Sequence, residues 1–244
     1  MLRMYVGLFC LFFVNHSLAQ KVPKPDFSVE RGFYEKPFKL KLKSELKGTI
    51  YYPLDGTYPT DSTSLIYKKP ILINKNTVVK AYLQSRGEKA SKVDVHSYLF
   101  VAQVLDQPDS MPGWSRPMIN TDYAFGRVKF SYGMNPEVVN QDREAMIESL
   151  LSIPSVSLSM DIESFWKMTL GFDEVPVSSE VLFPDKPEYN TQAFSGIEGV
   201  SHKHLKRNYR LSFKKKYGDG KLKTELLKKY SPLNRKSATK KLDR

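Results

Sequence analysis

The sequence has one cysteine, Cys10, which lies in an apolar stretch near the N-terminus. A disulfide needs two cysteines, so no internal disulfide can stabilise this chain. No long hydrophobic run occurs after residue 20, which excludes a multi-pass membrane protein. The phosphate-binding G-x-x-x-x-G-K-[ST] loop and the G-x-S-x-G, H-E-x-x-H and H-R-D motifs do not occur either. The sequence therefore carries no complete active site of these enzyme classes.

Residues 1–19 have the three parts of a secretory signal peptide. Arg3 supplies the positive end, residues 5–14 the apolar middle, and residues 17–19 (Ser-Leu-Ala) the small-x-small sequence that precedes cleavage. The apolar run is shorter than the ~20 residues of a membrane span, so a membrane anchor is the less favoured alternative. We expect export to the cell envelope or the medium, a mature chain that begins at Gln20, and no transmembrane span after processing.

The formal net charge of +12 is unevenly distributed along the chain. Residues 201–244 hold 16 Lys or Arg against 3 Asp or Glu, whereas residues 20–200 are close to balanced. Within the balanced part, residues 21–100 are basic and residues 101–200 are acidic, which predicts a domain boundary near residue 100. For an exported protein, the basic excess favours an anionic envelope polymer or a cell-surface glycan over nucleic acid as partner. A lysine-rich face that is exposed because its packing partner is absent is the more favoured interpretation of this excess. We expect no nucleic-acid partner and no cofactor.

Residues 20–100 alternate short β-branched and aromatic segments with turn sequences. Residues 38–43 (FKLKLK) place apolar and basic side chains on opposite faces of a strand. Residues 49–52, 71–73, 77–82 and 93–100 predict further strands, and Asp55-Gly56 predicts a tight turn. Strands at this spacing favour a mainly β fold with an immunoglobulin-like sandwich.

The segments 49–60 (TIYYPLDGTYPT), 77–82 (TVVKAY) and 97–100 (SYLF) resemble the chitobiase/β-hexosaminidase C-terminal-type domain. That family has a strand that ends in Tyr-Thr-x-Asp-Gly, then a Pro-Thr turn, and later a strand with a basic residue and an alanine. The resemblance implies an accessory β-sandwich over residues 20–100, without chemistry of its own. It does not imply hexosaminidase activity.

The second half begins with a connector over residues 101–120, in which residues 107–117 contain three prolines and one glycine. Asn135-Pro136 predicts the start of a helix that ends at Ile153-Pro154. Residues 155–160 alternate strictly and predict a strand, after which Asp161 caps a short helix. Residues 180–183 and 209–213 predict further strands.

Residues 134–139 (MNPEVV), 150–159 (LLSIPSVSLS) and 209–213 (YRLSF) resemble the start of the spore-coat CotH-type kinase domain. The resemblance spans residues 121–225 and implies an incomplete α+β lobe, followed by a basic tail at 226–244. If the domain acts as a kinase, the resemblance implies that Lys206 and Arg210 belong to the nucleotide-binding site. The part of that family that carries the acidic metal ligands has no matching positions here, so we expect a truncated domain without catalytic residues.

Three further groups of residues suggest chemistry. Among five tyrosines at 51, 52, 58, 67 and 82, Tyr52 and Tyr58 are the candidates for carbohydrate contact, although alternate strand positions place about half of the five in a core. His202 and His204 have strand spacing for one metal, but a zinc site needs three or four ligands, so we expect no metal. Two acidic pairs, Asp161 with Glu163 and Asp173 with Glu174, are interpreted as a helix cap and a solvated turn rather than acid/base pairs.

Two functions from different classes remain open. The favoured one is a secreted or envelope-associated accessory protein that binds a surface polymer or a partner without complete catalytic machinery. The alternative is a truncated, atypical secreted protein kinase of the CotH type. Either way, we expect residues 23–100 to fold on their own and the remainder to be less stable alone.

Overall fold

The computed structural model describes residues 22–87, 89–108, 121–123, 126–128, 133–171, 173–201 and 208–224. The protein is mainly β, with 37% strand against 16% helix, which confirms the prediction of a mainly β fold. The predicted signal peptide, the two histidines, Lys206 and the basic tail lie outside the described residues. Within the described part, no helix has the length and apolar character of a membrane span.

The helices and strands fall into two groups, which we call the first lobe (residues 22–108) and the second lobe (residues 133–224). The strands of the first lobe are β1 (Asp26–Phe27), β2 (Gly32–Phe33), β3 (Phe38–Leu40), β4 (Leu42–Lys43), β5 (Gly48–Tyr52), β6 (Leu65–Ile66), β7 (Ile71–Ile73), β8 (Thr77–Ser85) and β9 (Asp94–Leu99), followed by helix α1 (Val101–Val104). Between the lobes, β10 (Thr121–Tyr123) and β11 (Gly126–Val128) form an antiparallel pair. The second lobe contains α2 (Pro136–Val139), α3 (Arg143–Leu151), β12 (Ser155–Ser159), α4 (Ile162–Gly171), β13 (Val175–Leu182), β14 (Thr191–Ser201) and β15 (Asn208–Ser212).

The first lobe is built around a five-stranded sheet in the order β2-β9-β8-β5-β6. Two short antiparallel ribbons, β1-β4 and β3-β7, lie on one face of this sheet. The main core lies between them and contains Leu40 and Ile73 from the ribbons and Val79, Leu83 and Tyr98 from the sheet, all nearly fully buried. The predicted alternation of residues 38–43 is confirmed, because all three lysines of this segment are exposed while Leu40 and Leu42 are buried.

The central strand β8 is buried on both of its faces. Val79, Ala81 and Leu83 point into the main core, whereas Val78, Lys80 and Tyr82 lie on the opposite face by the alternation of a strand. That opposite face carries a second apolar cluster formed by Tyr82, Val93 and Val95, against which Phe194 of the second lobe packs. The five-stranded sheet therefore packs against the second lobe as well as against its own ribbons.

The second lobe is a four-stranded antiparallel sheet in the order β12-β13-β14-β15. Helix α4 packs on one face, where Met168 contacts a cluster formed by Val175, Val177 and Ile197. The other face meets the first lobe and is polar, since Ser157, Glu180 and Gln192 are opposed across neighbouring strands. The two lobes therefore meet through a largely polar seam.

The sequence predictions for the second lobe are partly confirmed. Asn135 caps α2 by accepting a hydrogen bond from the Glu137 N–H, as predicted. The expected single helix is wrong, however, because Asp142 caps a new helix by accepting from the Ala145 N–H, and this splits the segment into α2 and α3. Strand β14 was not predicted, since its glycines at 196 and 199 lower the strand signal.

Candidate binding site

The seam contains a buried ionic cluster centred on Arg31 of the first lobe and Glu180 of β13. One guanidinium nitrogen of Arg31 donates to Glu180 Oε1 at 3.0 Å and to Gln192 Oε1 at 3.2 Å. The other lies 3.5 Å from Asp94 Oδ1, which also accepts from Gln192 Nε2 at 2.6 Å. Arg31 and Asp94 of the first lobe are therefore bonded to Glu180 and Gln192 of the second lobe, and the charged groups involved are largely buried.

Glu180 is 1% exposed and has a bond to a hydroxyl besides its ion pair. Ser97 Oγ donates to one carboxylate oxygen of Glu180 and also lies 2.7 Å from Ser157 Oγ. Burial raises the pKa of Glu180 to about 7, although Arg31 and Ser97 act in the opposite direction. Glu180 is therefore a structural carboxylate whose charge depends on Arg31.

Asp94 is the second carboxylate of the cluster, and its pKa is shifted downwards. Burial alone raises the pKa of Asp94, but His96 and Lys24 outweigh it and hold the pKa well below its usual range. Lys24 Nζ lies 3.0 Å from Asp94 Oδ1. The His96 ring stacks on Phe27 with centroids 3.9 Å apart, and its Nδ1 has no hydrogen-bond partner among the described residues.

Lys80 lies at the other end of the seam and is 3% exposed. Its ammonium donates to the Gly56 carbonyl at 2.6 Å and to the Ser159 carbonyl at 3.2 Å. Burial lowers the pKa of Lys80 to about 8, although Asp161 and Asp55 favour the charged form. Lys80 therefore connects the tight turn of the first lobe to the end of β12 in the second.

The turn at Gly56 requires glycine for two reasons. Gly56 has a φ of 83°, which side chains other than glycine rarely adopt. A Cβ at this position would lie 2.6 Å from the Met160 carbonyl oxygen of the second lobe. The turn predicted from Asp55-Gly56 is present, with Asp55 accepting from the Thr57 N–H at 3.0 Å, and it approaches the second lobe closely.

A cleft of about 250 Å³ opens on the seam beside this turn. Lys80 and Tyr58 of the first lobe line it together with Asp161, Phe194 and Lys216 of the second. A second cleft, of about 210 Å³, is lined by Lys24, Lys92, Gln192, Asp219 and Lys221. Tyr58, Phe194 and Tyr217, which we call the aromatic trio, line both clefts.

The aromatic trio combines an exposed ring with two anchored ones. Tyr58 is 59% exposed, and its ring meets that of Phe194 edge-on, with centroids 5.9 Å apart. The Tyr217 hydroxyl donates to Glu174 Oε1 at 2.7 Å, and Lys216 Nζ lies 4.5 Å above the Tyr217 ring. The trio therefore presents an aromatic surface with lysines on both sides.

Glu174 holds the second-lobe side of the trio in place. Lys214 Nζ lies 2.6 Å from Glu174 Oε2, and Lys216 Nζ lies 3.0 Å from Glu174 Oε1. Hydrogen bonds from Lys214 and Tyr217 lower the pKa of Glu174 to about 2. A Cβ on Gly196 would lie 2.6 Å from the Tyr217 ring, so the absence of a side chain there lets the ring lie on β14. The expectation that Glu174 lies in a solvated turn is therefore wrong.

The structure separates the residues that the sequence singled out. Tyr58 lines both clefts, whereas Tyr52 packs against the main core beside Tyr67, with ring centroids 6.2 Å apart. Arg210 lies on β15 and forms an ion pair with Glu198. Asp161 is a helix cap, as predicted, because it accepts from the Ser164 N–H at 2.8 Å. The described residues contain no group of three or more His, Cys, Asp or Glu placed to hold a metal.

Sequence reasoning missed Arg31, Lys80 and Glu180. A signal was present for two of them, because Lys80 and Glu180 each stand within a β-branched strand sequence where an exposed charge is unusual. Arg31 lies in a loop and carries no comparable signal. Its burial depends on the second lobe, which no local pattern describes.

Comparison with known protein families bears on the first lobe. Residues 33–98 match the model of the family described as Fn3 associated, about a quarter of the chain. No curated protein matches the chain. The match supports an Fn3- or immunoglobulin-like associated domain in the first lobe. The CotH-type resemblance of the second lobe rests on the sequence alone and stays a prediction.

Proposed function

We propose that this chain is an exported, non-catalytic binding protein that holds a cell-surface glycan in the seam between its two lobes. The observation that carries the proposal is the aromatic trio, in which an exposed Tyr58 ring stands between two clefts. Sugar rings have an apolar C–H face that packs on an aromatic ring, while lysine, serine and amide groups bind their hydroxyls. Lys80, Ser178 and Lys216 are polar groups of this kind in the lining of the first cleft.

The first lobe supports this function as an accessory module. The Fn3-associated match covers most of its strands, and the resemblance to the chitobiase/β-hexosaminidase C-terminal-type sandwich implies a domain without chemistry of its own. The signal-peptide pattern of residues 1–19 supports export to the cell envelope or the medium, where surface polymers are available.

Replacement of Tyr58 tests the proposal. We expect Tyr58→Ala to bind glycans about tenfold more weakly on an array of neutral and acidic glycans, which corresponds to ~1.4 kcal/mol. Tyr209→Ala is the matched control, because Tyr209 is also exposed (44%) but lies on β15 and lines neither cleft. Equal binding by Tyr58→Ala and the wild type, or no glycan bound by the wild type, would contradict the proposal.

The kinase alternative makes a different prediction. A truncated CotH-type enzyme should transfer labelled phosphate from ATP in a metal-dependent reaction, and the transfer should be lost in Lys206→Ala and Arg210→Ala. The geometry favours this function less, because the Arg210 guanidinium is paired with Glu198.

A further inference from the structure

We infer that the glycan is a linear acidic polymer that crosses the aromatic trio and places consecutive sugar units in the two clefts. This inference rests on the proposed function and specifies the ligand's shape and charge. It starts from the fact that Tyr58, Phe194 and Tyr217 form a wall common to both clefts. A ligand that stacks on this wall can therefore extend into a cleft on each side.

The volumes favour an extended ligand. The clefts measure about 250 and 210 Å³, and each is below the ~300 Å³ at which single-ligand pockets usually begin. Taken together they reach the ordinary range. A monosaccharide would fill one cleft and leave the other unused, whereas a chain of several units occupies both and covers the aromatic wall between them.

The charges favour an acidic ligand. Among the described residues, five lysines and two aspartates line the clefts, namely Lys24, Lys80, Lys92, Lys216 and Lys221 against Asp161 and Asp219. The Lys92–Asp219 pair is exposed on both sides, at 59% and 76%, so solvent weakens it and Lys92 can exchange Asp219 for a ligand carboxylate. Lys24 and Lys216 stay paired with Asp94 and Glu174, and the buried Lys80 ammonium donates to two carbonyls, so Lys92 and Lys221 are the lysines best placed for ligand acids.

Oligomers of galacturonic acid with two to six units test the inference by isothermal titration calorimetry on the mature chain. We expect affinity to rise at least tenfold between the dimer and the tetramer and to fall at high salt, since part of the attraction is between exposed charges. Neutral oligomers of the same lengths should bind more weakly. Equal affinity for dimer and hexamer, no salt dependence, preference for neutral oligomers, or no binding of any acidic oligomer would each overturn the inference.

A double variant, Lys92→Gln with Lys221→Gln, separates the clefts from other basic surfaces. We expect it to bind acidic oligomers at least fivefold more weakly and to lose less affinity for neutral oligomers of the same length. Lys39→Gln with Lys41→Gln is the matched control, because both lysines are exposed on the ribbon side of the first lobe. Binding to the basic tail would survive the first double variant and would also overturn the inference.

The results distinguish the inference from the proposed function. If Tyr58→Ala weakens glycan binding but length and charge have no effect, the proposed function stands and the linear acidic polymer is wrong. If Tyr58→Ala and the Lys92/Lys221 variant both leave binding unchanged, both are wrong. Circular dichroism of each variant shows whether the fold is retained.

Discussion

Replacement of Lys80 by methionine tests how the seam tolerates a buried charge. The ammonium donates to the carbonyls of Gly56 and Ser159, and methionine keeps an unbranched apolar side chain but can donate no hydrogen bond. Leaving a buried carbonyl unpaired costs ~1–3 kcal/mol. Removing the charge of a side chain that is only 3% exposed stabilises the folded state, which opposes that cost.

The second effect depends on pH and its size follows from the pKa. Burial lowers the pKa of Lys80 from 10.5 to about 8, and each unit is worth ~1.4 kcal/mol. When the folded state lowers the pKa of a lysine, the protein has its full stability above the unfolded pKa, where the lysine is neutral in both states. It loses stability as pH falls from 10.5 towards 8, because the folded state then has to hold the buried charge. The penalty on the wild type is ~3 kcal/mol at pH 7 and under ~1 kcal/mol at pH 10.

Urea unfolding of the wild type and Lys80→Met at pH 7, 8, 9 and 10 measures this change. We expect the stability of the wild type relative to the variant to rise by roughly 2 to 3 kcal/mol between pH 7 and 10. Burial raises the pKa values of Tyr34 and Tyr98, which lowers stability at high pH, but both proteins contain these tyrosines and the effect cancels. Lys39→Met, at an exposed position of β3, is the control and should show no such change.

A relative stability that stays constant or falls with pH would refute the reasoning about Lys80. If Lys80→Met does not fold, an NMR titration of the lysine side chains of the wild type gives a second measurement. The Lys80 signal should titrate with a midpoint near pH 8, because burial lowers its pKa to about that value. A midpoint near the ordinary value of 10.5 would refute the reasoning equally.

Three further predictions concern the contacts between the lobes. Arg31→Met leaves Glu180 buried without its cation and should destabilise the chain by ~3–5 kcal/mol in urea unfolding, whereas Arg143→Met, which breaks an exposed pair with Asp106, should cost under ~1 kcal/mol. Burial raises the pKa of Glu180 to about 7, so the contribution of Glu180 to the free energy of unfolding is full below about pH 4.5 and is lost as pH rises towards 7. Glu180→Gln should therefore gain stability relative to the wild type between pH 5 and 8. A loss of relative stability over this range would contradict the prediction. Gly56→Ala and Gly87→Ala both place alanine at positive φ, but only the alanine at position 56 meets the second lobe. Gly56→Ala should therefore lower the melting temperature more than Gly87→Ala does. Equal shifts would show that the close approach to Met160 does not destabilise the variant.

The sequence determined most of the local structure, because local structure follows from local patterns. The alternation of residues 38–43 predicted buried Leu40 and Leu42, and the side chains of Asn135 and Asp161 predicted two helix caps that the structure confirms. The glycine-containing turn at 55–56 was predicted as well. In each case the physical cause lies within a few residues of the chain.

The tertiary structure decided what those patterns leave open, above all that the second lobe covers the second face of β8 and forms the seam with it. A strand pattern shows which side chains share a face but not what covers that face. Thus Val78, Lys80 and Tyr82 shared a predicted face, and only the second lobe made that face buried.

The candidate site divides in the same way. The sequence identified Tyr52 and Tyr58 together because they are nearby aromatic residues, but their surroundings differ: the first packs on the main core and the second lies between two clefts. Phe194 and Tyr217 join Tyr58 from strands and turns more than 130 positions further along the chain. Contacts between residues so far apart in the chain depend on how whole sheets pack. The sequence around any one of the three residues therefore does not predict that they lie together.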